Sequence, residues 1–523
     1  MQEAFDWNEE PPFDPAIEYQ GLLRGLRRKK GFGLYFVQCS PAGGMQLIER
    51  IRQDLPQKIE VLKFDAAMDG NFYQCVADYL RAHRETEVLF VQGLEYSLLS
   101  YEATKREEGW SSEETHSYSW KAVPRLLGNL NLQRERFRDD FPIRFVFLLP
   151  LFAMKYLIRR APDFFDWRSG LYEFPIDSDL MEQESLQIVQ EADYNEYLNW
   201  TQLERNRKIA EIQCWISEPN QTSERKPQLL LEQGHLFYTS NEYEAAVASY
   251  DQVLKYKPND HEVWFMRGIA LSKLQCYEEV ISSYDQALKH KPDDDAAWYF
   301  RGIALDELGR YEEAVASYDQ ALKYKPDDHG VWFMRGIALS RLQRYEEAIS
   351  SYDQALQHKP DKDAAWYNRG IALDELGRYE EAITSYDQAL QHKPDKDAAW
   401  HNRGIALAHL QRYEEATTSF YYALKIEPND HEVWCDYGLA LAYLQRYEEA
   451  ITNFDYALKI RPDDARTFYN KACCYEWQGQ VELAIATLKQ AIDLDPKYRE
   501  MAKTDADFDR VRSDDRFQAL LKD

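Results

Sequence analysis

The chain has 523 residues, with 90 acidic and 63 basic side chains and a formal net charge of −27. That length accommodates two or more domains with full cores, and the acidity argues against general nucleic-acid binding, which needs a basic footprint. The seven cysteines show neither metal-ligand nor disulfide-framework spacing, and no apolar run is long enough to span a bilayer, so neither a metal centre nor a membrane segment is expected. The first residues are acidic and aromatic (Phe5, Asp6, Trp7, Glu9, Glu10), unlike a secretory signal, and a reducing cytoplasm is the expected compartment.

From Gly31 short β-rich runs alternate with helix-like stretches. Strands are predicted at Phe32–Gln38, Ile59–Asp65, Glu87–Gln92 and Ile143–Leu149, with a short fifth at Leu171–Phe174. Helices are predicted at Met45–Asp54, Phe72–Arg84, Lys121–Phe137 and Phe152–Ala161, and the polar insert Tyr101–Ser119 reads as an exposed loop. Such alternation predicts an α/β domain with a mostly parallel sheet.

The turn after the first strand, Gln38-Cys39-Ser40-Pro41-Ala42-Gly43-Gly44-Met45-Gln46, stands where a phosphate loop would sit. Met45 and Gln46 replace the Lys that would reach the phosphates and the hydroxyl that would hold Mg²⁺. Ser40, Gly43 and Gly44 are left as a candidate anion cradle at a helix N-terminus. The third strand runs into Gln92-Gly93-Leu94-Glu95 and has no acid at its end, so Glu95 is a candidate displaced carboxylate. Arg168 is a candidate anion contact, set against simple pairing with Asp163 or Asp166.

Residues from about 30 to 175 resemble the nucleotide-binding core of the STAND branch of P-loop NTPases. The resemblance rests on strand order, the Gly93-Leu94-Glu95 step and the run Ala161-Pro162-Asp163-Phe164-Phe165-Asp166-Trp167-Arg168-Ser169-Gly170. The departures at Met45, Gln46 and Gln92 are those of the inactive kind, in which the fold persists as a docking module. The resemblance implies a bacterial conflict or signalling system that couples a sensor array to a separate effector, such as a protease. A nucleotide-dependent switch is the rival that it leaves open. Beyond this region, Ser178–Trp215 reads as two amphipathic helices and Ser217–Lys226 as a polar linker.

From about Lys226 to Pro496 one 34-residue phrase is written eight times. Its fourth place is Trp264, Trp298, Trp332, Trp366, Trp400 and Trp434, with Leu230 and Phe468 at the two ends. A Gly follows at the eighth place (Ala472 in the last copy), then a small residue, an aromatic, another Ala and a closing Pro, as in Gly302, Ala314, Tyr318, Ala321 and Pro326. A fixed period of this length predicts a solenoid of stacked units, each a pair of antiparallel helices. The Gly and Ala are expected to let the two helices approach. The Trp and the aromatic at place twenty-four are expected to fill the space between neighbouring units.

This phrase resembles the tetratricopeptide repeat, which implies a right-handed all-α solenoid that binds extended peptides or helices on the wall formed by its first helices. Places five and six would carry that contact: Phe265, Met266, Tyr299, Phe300, Phe333, Met334, Tyr367, Asn368, His401, Asn402, Asp436, Tyr469 and Asn470. The wall is thus expected to pass from aromatic and Met-rich to amide and polar, with Asn at place six bonding a peptide backbone; the alternative is that the aromatics only pack on neighbouring helices. Lys273 and Arg341 at place thirteen alternate with Glu307 and Glu375, which disfavours a carboxylate clamp. Arg267, Arg301, Arg335, Arg369 and Arg403, set against Asp251, Asp285, Asp319, Asp353 and Asp387, predict a ladder of ion pairs bracing the stack. Copies two and four match, as do three and five, so pocket chemistry is expected to recur every 68 residues.

After Pro496, Asp505–Phe508 and a helix over Asp509–Leu521 are expected to cap the last repeat through Val511, Phe517, Leu520 and Leu521. The expected domains are residues 1–175, a connector over 176–226, eight repeats over 227–498 and a cap over 499–523. No catalytic residue, cofactor or metal is expected. The anticipated role is a non-catalytic adaptor for a protein partner, with no nucleic acid and no membrane involved.

Overall fold

The computed structural model describes residues 14–27, 31–65, 68, 71–98, 125–174, 186, 194–217 and 224–522. The insert expected at Tyr101–Ser119, the start of the helix expected from Lys121, and most of the stretches 176–193 and 218–223 lie outside the described residues. The chain forms two compact bodies, Met1–His290 and Lys291–Asp523.

In the first body, β1 (Gly33–Gln38), β2 (Ile59–Lys63), β3 (Val88–Gln92), β4 (Arg144–Leu149) and β5 (Gly170–Glu173) form one sheet in the order β2-β3-β4-β1-β5. Every pairing is parallel. Successive side chains point to opposite faces, and both faces are buried, which is why the strands read as continuous apolar runs. Leu34, Phe36, Leu89, Val91, Phe145 and Phe147 pack toward the helices Phe72–Ala82, Arg125–Asp140 and Leu151–Arg160. Tyr35, Val37, Phe90, Val146 and Leu148 pack the opposite face against Pro41–Asp54 and an unforeseen helix, Pro15–Arg27.

The helix after β1 begins at Pro41, four residues before the expected Met45. Proline favours the first helical position, and Ser40 caps the turn by accepting from the Gly43 amide at 3.0 Å.

Helices Tyr194–Asn199 and Gln202–Ser217 follow, then two helical hairpins: Arg225–Thr239 with Tyr243–Tyr256, and His261–Lys273 with Tyr277–His290. The first hairpin helix thus takes in the last two residues expected in the linker. The second body holds six more hairpins: Asp295–Glu307 with Tyr311–Tyr324, His329–Arg341 with Tyr345–His358, Asp363–Glu375 with Tyr379–His392, Asp397–His409 with Tyr413–Ile426, His431–Tyr443 with Tyr447–Ile460, and Ala465–Trp477 with Val481–Leu494. Asp260, Asp294, Asp328, Asp430 and Asp464 each cap a first helix through backbone N–H groups.

The tight packing inside a hairpin comes from the Gly at place eight and the aromatic at place twenty-four. A Cβ built on Gly302, Gly336 or Gly370 would lie 2.5 Å from the ring of Tyr318, Tyr352 or Tyr386, each almost wholly buried. This corrects the expectation that the aromatic fills the gap between repeats, because it closes its own repeat. The tryptophans are only half-buried, and each seals the loop before its helix, as when Trp366 Nε1 donates to Pro360 O at 2.8 Å.

The turn between the paired helices needs a left-handed residue. Gly309, Gly377 and Gly479 supply it with φ of 74°, 72° and 77°, whereas Gln275, Gln343, Gln411 and Gln445 hold φ of 58°, 59°, 58° and 64°. Gln343→Gly is therefore expected to raise stability by about 0.5–1 kcal/mol, and Gly377→Gln to lower it by a similar amount. Urea unfolding midpoints check both.

Lys497–Thr504, a short 3₁₀ turn at Ala506–Phe508 and Asp515–Leu521 close the chain. They bury Phe508, Val511 and Phe517 against Tyr469, Cys473, Leu488 and Ile492 of the eighth hairpin, with Leu520 and Leu521 half-buried at the edge.

Candidate partner-binding wall

In the second body each second helix packs on the following first helix, and successive first helices also touch one another. No two successive second helices come as close. The stack therefore bends toward its first helices, which form the inner wall.

Taken body by body, the residues expected at places five and six divide into distinct settings. Phe300 is the most open, 38% exposed, with its ring 5.2 Å from that of Tyr299. At place five Phe265, Tyr299, Phe333 and Tyr367 lean on the buried tyrosine of their own repeat, with ring centroids 5.6, 6.2, 6.0 and 6.1 Å apart. Each remains half-buried, so part of every ring packs and part faces outward. Met266 packs beside the first-body repeat core, and Met334 is half-buried. Lys362 and Lys396 sit over the rings of Phe333 and Tyr367 at 3.9 and 4.2 Å, adding a cation–π contact to that wall.

Farther along, place five of one repeat meets place six of the next. Asn402 Nδ2 donates to the Tyr367 hydroxyl at 3.2 Å, His401 Nε2 lies 2.9 Å from Asp436 Oδ2, and Asn470 Nδ2 is 3.5 Å from Cys435 Sγ. Asn368 Nδ2 turns to its own backbone, Ala364 O, at 2.9 Å. The three asparagines thus spend an amide donor and keep Oδ1 as an acceptor. Asp436 is held further by Arg466 at 3.1 Å. Tyr469 does not belong to the open wall: it is 5% exposed, and its hydroxyl donates to Asp505 Oδ2 at 2.5 Å beneath the C-terminal turn.

Two groups on the wall escaped the sequence reading. Asp306 at place twelve accepts from Arg341 Nη1 at 2.7 Å, and Arg341 lies 5.3 Å above the Tyr311 ring. One two-repeat period on, burial raises the Asp374 carboxyl and the field of His409 opposes that rise, while His409 stacks on Tyr379 at 4.7 Å. Burial likewise holds Asp306 above the usual carboxylate range. The 68-residue recurrence is visible in this pair, and its signal was the Leu-Asp-Glu-Leu-Gly phrase shared by repeats three and five.

Four of the arginines at place seven are engaged in ion pairs with the preceding repeat. Arg369 Nε donates to Asp353 of the preceding repeat at 2.6 Å and Nη1 to Ser385 of its own at 2.6 Å, with the guanidinium 5.9 Å over Trp366. Arg267, Arg335 and Arg403 repeat the arrangement with Asp251, Asp319 and Asp387.

With this geometry in view, three family descriptions fit the helical region: the TPR repeat over residues 234–275, the tetratricopeptide repeat over 274–329, and the C-terminal domain of cilia and flagella-associated protein 70 over 328–507. The chain carries tetratricopeptide repeats. No curated protein matches it. Similar solved structures include YrrB, described as a TPR protein with an unusual peptide-binding site, at 25% identity over 34% of this chain and 92% of that one, with a TM-score of 0.32. MamA from Desulfovibrio magneticus RS-1 is 20% identical over 33% of this chain and 97% of its own, with a TM-score of 0.32. Pseudomonas aeruginosa pilF is 20% identical over 40% and 96%, with a TM-score of 0.34.

Ahead of the tetratricopeptide repeats, the candidate anion cradle is folded shut. The Gly43 amide is taken by Ser40 Oγ and the Gly44 amide by Ser40 O at 2.8 Å. Gln92 Nε2 and Leu148 Cδ1 would each lie 3.1 Å from a Cβ on Gly44, so the space above that turn is filled. Arg168 contacts Asp166 at 3.4 Å and lies 4.5 Å over the Phe165 ring, the pairing weighed against an anion contact. Glu95 is 6% exposed, its Oε2 has no partner among the described residues, and burial pushes its carboxyl up to about 7. It borders a cavity of about 470 Å³ lined also by Tyr96, Trp200, Glu204 and Arg207.

Among the described residues one group has metal-ligand closeness, Cys473 with Asp505 and Asp507. Asp507 already accepts hydrogen bonds from Cys473 and Trp477, and Asp505 from Tyr469, so the trio acts as the knot of the C-terminal cap. No helix among the described residues is long and apolar enough to cross a membrane.

Proposed function

We propose that the chain is a non-catalytic adaptor that captures a protein partner along the first helices of its tetratricopeptide repeats. The observation that carries this reading is the inner wall itself. It offers an open Phe300 and half-open rings at Tyr299, Phe333 and Tyr367, followed by asparagines whose Oδ1 atoms can accept backbone N–H groups. Aromatic anchors followed by amide acceptors suit an extended segment with apolar side chains at one end. The α/β region is a docking module in this reading, with its phosphate turn closed by Ser40 and no Lys to engage a nucleotide. Its resemblance to inactive STAND domains supports a place in a bacterial signalling or defence system, with a protease or other effector as the partner. The division into 1–175, 176–226, 227–498 and 499–523 belongs to the same reading.

Phe300→Ala combined with Phe333→Ala is expected to leave the helical circular dichroism unchanged and to abolish pull-down of the partner. Retained pull-down by a folded double variant would move the binding surface off this wall.

A further inference from the structure

The cavity beside Glu95 lies within the first body. Glu95 and Tyr96 line it from the turn after β3. Trp200, Glu204, Arg207, Lys208 and Glu211 line it from the connector, whose helix Gln202–Ser217 packs against Leu151–Arg160. Gly93 turns the chain ahead of Glu95 with φ of 85°, and a Cβ there would collide with Phe64 O, so the turn that carries Glu95 requires glycine. On the connector side Arg205 donates to the carbonyls of Tyr197 and Trp200 at 2.9 and 2.7 Å, and the Trp200 ring meets buried Tyr197 edge-on at 4.9 Å. Both sides are therefore held in place. At about 470 Å³ the cavity has the size of a small-molecule site.

Its charged groups are not all satisfied. Among the described lining residues, Lys208 pairs with Glu211 at 3.0 Å, and Glu204 accepts from Thr201 N and Oγ1, both at 2.7 Å. Arg207 acts on Glu204. Glu95 is left: it is 6% exposed, and its Oε2 has no partner among the described residues. Burial raises its carboxyl, and only the backbone N–H groups of Gly93 and Glu95 oppose that rise, with no part taken by Arg207 or Lys208. A buried carboxylate in this state calls for a cation. Trp200 and Tyr96 at the same cavity favour a flat, weakly hydrated cation over a compact ammonium or a metal ion.

We propose that this cavity binds a small molecule carrying an amidinium or guanidinium group, which pairs with Glu95 beside the rings of Trp200 and Tyr96. The site is independent of the inner-wall reading, because it lies ahead of the repeats.

Isothermal titration calorimetry of benzamidine into the full chain tests this, with benzamide as the uncharged isostere. Saturable binding is expected at pH 8, with benzamide weaker by about tenfold or more. The amidinium keeps its charge, so protons compete at Glu95, and with that carboxyl at about 7 the affinity should fall about tenfold from pH 8 to pH 6. Glu95→Gln is expected to weaken binding about tenfold or more and to flatten the pH profile. Trp200→Leu is expected to weaken it about threefold or more while circular dichroism stays unchanged. Absence of saturable binding at pH 8, equal binding of benzamide, or a wild-type profile flat between pH 6 and 8 would overturn the proposal. Unchanged binding by either folded variant would overturn it too.

Discussion

Gly370→Ala is expected to destabilise the repeat array by about 2–3 kcal/mol, even though alanine is the better helix former. Two effects oppose each other at this site. In an open helix the exchange would gain about 1 kcal/mol from propensity alone. Here the new methyl would lie 2.5 Å from Tyr386 Cε1, inside contact distance, and that ring is fully buried with no room to swing away. Overpacking therefore wins, and the sign of the change reports the packing directly. Tyr386→Ala alone is expected to cost about 3–5 kcal/mol through the cavity it leaves, and the double variant should lose clearly less than the sum of the two, because the ring that clashes is gone. A denaturant series on the two single variants and the double variant measures this coupling. A stabilised Gly370→Ala chain would show that the two helices do not meet through this glycine.

Glu95 is expected to make the first body weaker as pH rises. Burial keeps its carboxyl protonated up to about 7, whereas an unfolded chain releases the proton near the ordinary 4.5. The folded form thus binds the proton more tightly. The stability tied to it is complete below pH 4.5, is lost progressively up to 7, and is gone above. A difference of that size is worth about 3 kcal/mol. Glu95→Gln keeps the shape and cannot ionise, so its stability should be nearly flat over the same range. Hydrogen exchange of the β3 amides between pH 5 and 8.5, corrected for intrinsic rates, checks this. Identical pH dependence in the two proteins would show that Glu95 is ionised in the fold.

The sequence revealed period and burial better than it revealed neighbours. A 34-residue repeat shows that Trp366 and Tyr386 both lean inward, but not which one closes its own hairpin. The glycine opposite Tyr386 decides that only once the backbones are placed. The five strands were legible because both faces of a parallel sheet are covered, leaving apolar runs with sharp ends. The helix starts at Pro41 and not at Met45 because Ser-Pro is itself a helix start, a signal that the likeness of Ser40–Gly44 to a phosphate loop hides. The helix Pro15–Arg27 is legible in Tyr19, Leu22, Leu23 and Leu26, which fall at helical spacing. Register alone puts Tyr469 on the inner wall, yet the last repeat is followed by the C-terminal turn, which covers that side chain. Asp306 and Asp374 carry no signal of their own, because place twelve varies from Ser and Ala to Tyr and Glu among the copies, and only the fold brings Arg341 and His409 to them.

The central claim is that a partner lies along the first helices, and photo-crosslinking within one repeat tests it most directly. Benzoylphenylalanine would replace Phe300 on the inner wall or, in a separate chain, Gln320 on the outer face of the same repeat, with irradiation in the native cell. The account predicts one discrete protein adduct from position 300 and none from 320. Adducts from position 320 alone would contradict it.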